Sequence, residues 1–325
     1  MQKIPDFWLG KPYYSLNAYF RKVYGEKCYK ISLDAGLSCP NRDGRSKGGC
    51  IFCSAGGSGD FAVSATASCI EAQLQEGKKL LAKKNTGSRF VAYFQAYTNT
   101  YGPIRYLKKM YTAALSRPDV IGISIATRPD CLGADVLALL SELHDAYPGK
   151  FIWVELGLQT MHENVAEFIN RGYSLSVFEE AMQHLQTLGI PVIVHVILGL
   201  PMESAEDMYE TIAYINRFSP FGIKLQLLHV LKNTVLGELY EKNAIPGFSV
   251  LSMDSYLDIL IHCLELLSPD IVVHRVTGDG AGKDLIAPQW SLHKKNVLNT
   301  LHRTMRERQT YQGRCFYDTG SAYSV

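Results

Sequence analysis

Cys39, Cys50 and Cys53 are the residues of this sequence whose type and spacing point most directly to chemistry. They stand in Asp34-Ala-Gly-Leu-Ser-Cys-Pro-Asn-Arg-Asp-Gly-Arg-Ser-Lys-Gly-Gly-Cys-Ile-Phe-Cys, where Gly, Asn, Asp and Pro predict a loop. A loop lets three thiolates converge on one point, which a helix or strand at this spacing would not. A four-thiolate iron–sulfur cluster needs one cysteine more, so an iron lacking a protein ligand is left to bind a small molecule. Structural zinc is the competing reading, since Cys-x-x-Cys with a further Cys and a His is a common zinc set. Inert core thiols fit poorly, because a polar loop is poor core material. Cys28, Cys69, Cys131, Cys263 and Cys315 each stand alone and read as packing residues. Glu155 is the other conspicuous group: it lies inside an apolar run, where an ionised carboxylate is costly without a ligand or a partner.

These residues are to be positioned by an alternation of apolar runs and helical patterns between Tyr29 and Leu231. Strands are predicted over Tyr29–Leu33, Phe90–Gln95, Ile121–Ala126, Phe151–Leu158, Pro191–Leu198 and Gly222–Leu228, all rich in Val, Ile, Phe and Tyr. Amphipathic helices separate them. Ser176-x-x-Glu179 reads as a capping box on a helix closed by Gly189, and Ser204 precedes an acidic first turn, Glu206-Asp207. Six β-then-α units in succession predict an α/β fold with a parallel sheet, either doubly wound or an open barrel. Beyond Leu231 the rhythm changes to a helix near Asp254–Leu267, a strand near Ile271–Val276 and a helix near Leu292–Arg308. The expected division is a core over residues 1–231, with its cysteine loop at 34–54, and a C-terminal α/β extension over 232–325 packed on it.

The 325 residues, 47% hydrophobic and 20% charged, suit a globular protein with a full core. A net charge of +2 carries no global signature of a nucleic-acid binder. No signal-peptide-like run opens the sequence and no run of roughly 18 apolar residues follows, so a cytoplasmic protein with reduced thiols and no membrane span is expected.

The cysteine loop, with ten residues between Cys39 and Cys50, resembles that of the bacterial YhcC/YtqA-type radical S-adenosylmethionine (SAM) proteins, relatives of the Elongator catalytic subunit. The resemblance continues through Tyr93-Phe-Gln-Ala-Tyr-Thr-Asn-Thr100, Gly122-Ile-Ser-Ile-Ala-Thr-Arg-Pro-Asp-Cys131 and Val154-Glu-Leu-Gly-Leu-Gln-Thr160. It runs on through His195-Val-Ile-Leu-Gly-Leu-Pro201, Leu228-His-Val-Leu-Lys-Asn-Thr234 and Val273-His-Arg-Val-Thr-Gly-Asp-Gly280. It implies a partial (βα)6 radical SAM barrel and a [4Fe–4S] cluster on Cys39, Cys50 and Cys53. SAM would be bound at the open iron and cleaved reductively, with an electron donor such as flavodoxin or ferredoxin. The resemblance favours iron–sulfur over zinc.

By the same resemblance Gln95 and Asn99 touch the methionine moiety of SAM and Arg171 its carboxylate; Glu155 and Gln159, on or just after the fourth strand, are further contacts to SAM, the Glu155 carboxylate being suited to a ribose hydroxyl. Arg171 also fits a solvated surface charge, and Glu155 a neutralised strand residue facing a helix. Gly199, in His195-x-Ile-x-Gly, resembles the adenine site, and His195 faces SAM or substrate unless it is a core histidine. Arg128, with Asp130, reads as an Arg–Asp pair steadying a loop or as a contact to an anionic substrate, as do His229, Arg275 and Asp279 further on. The catalytic candidates are therefore His195, Arg128, His229, Arg275 and Asp279.

The Elongator relationship points to tRNA wobble uridine as substrate, with 5-carboxymethylaminomethyluridine converted to 5-aminomethyluridine. Between Lys283 and Arg314 seven Lys/Arg meet two Asp/Glu, a local charge of +5. Lys283, Lys294, Lys295, Arg303 and Arg306 would meet phosphates, and Trp290 and Tyr311 would stack on unpaired bases. The bland reading of this strip is a solvated helix face. A radical SAM step on a small molecule or peptide is the competing enzyme, and a zinc-stapled RNA-binding adaptor the competing non-enzyme.

Overall fold

The computed structural model describes residues 4–43, 48–57, 69–82, 87–278 and 282–316. In chain order its elements begin with α1 (Leu16–Tyr24), β1 (Tyr29–Leu33), α2 (Ile70–Leu81), β2 (Phe90–Phe94), α3 (Ile104–Leu115), β3 (Val120–Thr127), α4 (Ala134–Ala146) and β4 (Phe151–Gln159). There follow α5 (Glu163–Phe168), α6 (Leu175–Thr187), β5 (Val192–Leu198), α7 (Ala205–Asn216), β6 (Gly222–Leu227), β7 (Val230–Leu231), α8 (Val235–Glu241), α9 (Met253–Leu266), β8 (Val272–Arg275), β9 (Leu285–Ala287) and α10 (Lys294–Glu307).

The apolar runs become strands because they are buried on both faces: all five residues of β2 are buried, as are seven of the eight in β3. The main sheet has the order β1-β2-β3-β4-β5-β6-β8. Pairing is parallel from β1 to β4 and between β6 and β8. A doubly wound sheet would reverse its order at a switch point. This one never does, and β1 and β8 end the order unpaired to each other, which is the topology of a partial (βα)6 barrel with one added strand. A two-stranded antiparallel ribbon, β7 with β9, accompanies it.

Helix ends bear out the sequence in part. Gly189 closes α6 at φ +66°, with Ile190 N donating to Leu185 O at 2.9 Å. The capping box expected at Ser176 and Glu179 is not formed: Ser174 precedes α6, Ser176 lies in its first turn, and their hydroxyls bond each other at 2.8 Å. The box is at α7 instead, where Ser204 accepts from Asp207 N and Asp207 accepts from Ser204 N.

The chain forms two compact units. One comprises Tyr24–Gly157 and Asn170–Ile193; the other comprises Met1–Val23, Leu158–Ile169 and Val194–Val325. In the second, Trp8, Tyr14 and Ala18 make a small core with Val272 of β8. Tyr14 O accepts from Val273 N at 2.8 Å and Ser15 bridges Val273 in parallel, so the N-terminal segment covers the outer edge of β8. Among the described residues no helix is long and apolar enough to cross a membrane.

Candidate active site

In the unit that carries β1 to β4, the cysteine loop leaves the C-terminal end of β1, the end at which parallel α/β folds place their sites. A turn at Cys39, whose carbonyl accepts from Arg42 N at 2.8 Å and Asp43 N at 3.1 Å, begins it. A second turn brings Cys53 N to Cys50 O at 3.0 Å. Arg42 Nη2 ties the two ends together by donating to Cys53 O at 3.1 Å.

Asn41 is the pivot of this loop, and nothing in the cysteine spacing announced it. It is 2% exposed. Its Nδ2 donates to Cys50 Sγ at 3.4 Å and to Asn170 O at 2.7 Å, while Asn170 Nδ2 returns a bond to Gly49 O at 2.7 Å. Gly172 closes the contact at φ +80°, where a Cβ would come within 2.5 Å of Asn41 Oδ1. Burial and then the charge of Cys53 push the Cys50 thiol up to about 12, a rise that Arg128 and the Asn41 hydrogen bond oppose. The three cysteine sulfurs are not all within 4.8 Å of one another; among the described residues only His162, Asp207 and Glu210 gather metal-ligating atoms so tightly.

Arg128, at the end of β3, binds Asp130 through two hydrogen bonds of 2.8 and 2.9 Å. It also donates to Arg171 O at 2.9 Å and lies 4.8 Å from the Tyr173 ring centre. Arg128 thus pairs with Asp130 and braces the Arg171–Gly172 turn that packs behind Cys50. Arg171 is 1% exposed, donates from Nε to Tyr173 O at 3.1 Å and stacks on the same ring at 4.9 Å. That excludes the reading of Arg171 as a solvated surface charge. Tyr173 anchors both guanidinium groups and its hydroxyl bonds Gly157 O.

Asn99 is fully buried, and its Nδ2 is spent on the carbonyls of Phe94, Ala96 and Ala126, each at 3.1 Å. Its amide donors staple the ends of β2 and β3, while its Oδ1 is buried without a partner. Glu155 is held by Lys30 Nζ at 2.6 Å and by the Ser124 hydroxyl at 2.5 Å. Its buried charge is met by Lys30 of β1, with β2 and β3 between the two strands in the sheet order. Gln95 follows β2, half-buried, with its N–H on Leu33 O at 3.2 Å.

In the other unit, Gln159 ends β4 at φ +68° with Oε1 buried and unbonded. His195 is half-buried in β5, and Gly199 follows at φ +87°, with a Cβ there only 2.9 Å from Leu251. His229 and Arg275 lie at the ends of β6 and β8, whereas Asp279 lies outside the described residues. Glu203, which sequence reasoning passed over, sits after β5. Burial pushes its carboxyl up to about 8 against a Thr160 hydrogen bond, with Asp207 adding to the rise, and Oε2 is buried without a partner.

Of the basic strip, Lys283, Lys295, Arg303 and Arg306 are exposed and Lys294 is half-buried. Arg303 reaches Glu307 at 3.9 Å, with both side chains about two-thirds exposed (64% and 67%). Trp290 is used in packing: its Nε1 donates to Leu251 O at 3.1 Å and its ring lies 5.6 Å from that of Tyr256. Tyr311 is half-buried.

Comparison with known proteins finds the Radical SAM superfamily matching residues 39–215 and the Radical_SAM C-terminal domain matching residues 220–307. The uncharacterized protein YtqA of Bacillus subtilis is 42% identical over 307 residues, covering 94% of this chain and 93% of its own length. Protein YhcC of Escherichia coli is 33% identical over 285 residues, 87% of this chain and 89% of its own. The solved structure of archaeal Methanocaldococcus infernus Elp3 matches with a TM-score of 0.66 over 90% of this chain and 68% of that one, at 16% identity, a likeness of fold.

Proposed function

Since this chain belongs to the radical SAM superfamily, we propose that it is a [4Fe–4S] enzyme that modifies tRNA at the wobble uridine, converting 5-carboxymethylaminomethyluridine to 5-aminomethyluridine. Its cofactors are a [4Fe–4S] cluster and SAM. When bound, the reduced cluster supplies the electron that cleaves SAM and so generates the 5′-deoxyadenosyl radical. Cys39, Cys50 and Cys53 hold the cluster, leaving the open position to SAM, and Gln95 and Arg171 serve the amino-acid end of SAM. A guanidinium buried against Tyr173 is well suited to a carboxylate. Asn41 and Arg128 hold the loop from behind: one bonds the Cys50 sulfur and the other places a positive charge near it.

The single observation that carries the cluster assignment is the Asn41 bond to Cys50, a hydrogen bond of the kind that orients and tunes metal ligands. The tRNA half rests on the resemblance to the Elongator catalytic subunit and on the exposed bases of α10. Anaerobic reconstitution should load about four irons per chain. Replacing Cys39, Cys50 or Cys53 by Ala should abolish that, while Cys69→Ala and Cys263→Ala retain it. Purified enzyme with SAM, reductant and tRNA bearing 5-carboxymethylaminomethyluridine should then yield 5-aminomethyluridine, read by nucleoside mass spectrometry. SAM cleavage with no change in that nucleoside would turn the reading toward a small-molecule or peptide substrate.

A further inference from the structure

Basic groups converge at the end of the sheet formed by β6 and β8. Lys224 and Arg275 are register partners on these parallel strands, and Lys224 is 4% exposed. His229 follows β6 and packs on Gly278 so closely that a Cβ there would lie 2.6 Å from its Cε1. α10 starts at Lys294, whose charge acts on His229 and is acted on by Arg275, with no side-chain cap on its first turn. Burial first, then Lys294 and Arg275, hold the His229 imidazole down at about 4, and Arg275 adds to the burial that lowers Lys294. His229 is therefore neutral at physiological pH and sits in a positive field. Lys224, Arg275 and Lys294 also have other contacts within the protein. What lacks a partner is His229 Nε2, which is buried and unbonded.

A buried imidazole nitrogen beside two cations is matched by an oxyanion: Nε2–H donates one hydrogen bond, and Arg and Lys supply charge-assisted ones. The N-terminal end of α10 adds its partial positive charge. We propose that His229, Arg275 and Lys294 form an oxyanion subsite for the substrate, taking a carboxylate or a phosphate. The source of that group rests on the tRNA reading above: it is either the carboxylate of a modified base or a backbone phosphate.

The test uses the full-length reconstituted protein with labelled histidines, the His229 signal being assigned from His229→Asn. Titration with inorganic phosphate should shift that signal saturably and raise the His229 pKa, because a bound anion favours imidazolium. Lys294→Gln should weaken phosphate binding by about tenfold, equivalent to ~1.4 kcal/mol, while Lys294→Arg retains it. Two tRNAs, with and without a carboxylate on the wobble uridine, identify the source. A wild-type preference for the carboxylated tRNA that disappears in Lys294→Gln assigns the site to the base. An equal loss on both tRNAs, with the salt slope falling by about one, assigns it to the backbone. If phosphate moves His229 but the protein binds neither tRNA, the subsite stands and the tRNA reading falls. A His229 signal indifferent to phosphate, with tRNA binding undiminished in Lys294→Gln, overturns the inference.

Discussion

Asn41 donates to Cys50 Sγ at 3.4 Å from a position where the same amide also holds Asn170 O at 2.7 Å. Through Asn41 the cysteine is thereby coupled to a turn that lies 129 residues beyond Asn41 in the chain. The shared amide is itself buried, at 2% exposure. Removing a hydrogen bond to a metal ligand commonly costs ~10–100-fold in affinity. Asn41→Ala should accordingly fold and still reconstitute, but lose iron to a chelator at least about tenfold faster than wild type. Iron retention measured anaerobically over time checks this, and an unchanged rate would show that the contact does not support the cluster.

Lys30 and Glu155 form a buried ion pair, with side chains 15% and 0% exposed. Lys30 also lies over the rings of Tyr93 and Trp153, at 4.9 and 5.5 Å. Stranding one charge of such a pair costs ~3–5 kcal/mol, whereas replacing both by apolar groups is often neutral. Lys30→Met should therefore destabilise strongly, and Lys30→Met with Glu155→Leu should recover most of the loss. Urea unfolding of both variants decides the matter. Additive losses would mean that the two charges are not compensating each other.

What the sequence revealed and what it concealed differ by range. The strands were readable because β-branched and aromatic runs of five to nine residues, such as Phe90–Phe94 and Phe151–Gln159, carry their own signal. Gly189 was readable because a helix end needs a left-handed residue there. The capping box forms on α7 rather than α6 because Asp207 plays the part usually given to Glu or Gln, while on α6 Ser174 takes the cap position ahead of Ser176. The partners of Glu155 and Cys50 lie 125 and nine residues away and are polar residues with no distinguishing pattern. Only the fold brings them together. Asn99 shows a further limit: its Nδ2 serves backbone carbonyls that lie three to 27 residues away, which spacing alone does not reveal.

Glu203 gives the protein a pH dependence of defined sign. Its folded pKa, about 8, lies above the ordinary carboxylate value of 4.5, chiefly through burial. The folded state then holds a proton that the unfolded state releases, so stability is full below pH ~4.5 and is lost as pH rises toward 8. Glu203→Gln keeps the shape and removes the titration. It should raise the melting temperature at pH 9 by several degrees, at ~2–4 °C per kcal/mol, and change it little at pH 5. Parallel melting curves at the two pH values test this, and an equal effect at both would refute a titrating Glu203.

The basic strip on α10 makes a prediction that separates RNA binding from a merely solvated face. Arg306 is exposed, with Nε on His302 O at 3.2 Å, and Arg303 makes only a long, exposed contact to Glu307. Exposed pairs of that kind contribute ~0–1 kcal/mol, so neither arginine is needed for the fold. Their positive charge is thus free to act on a polyanion. If they meet tRNA phosphates, each contact releases counterions, and log affinity falls with log salt by roughly 0.9 per phosphate. Arg303→Glu with Arg306→Glu should lower tRNA affinity most at low salt, and the salt slope should become shallower by about two units, one per lost contact. Melting curves will confirm that the variant is folded. A parallel loss of affinity with an unchanged slope would place the tRNA elsewhere, and no loss at all would leave α10 a solvated face.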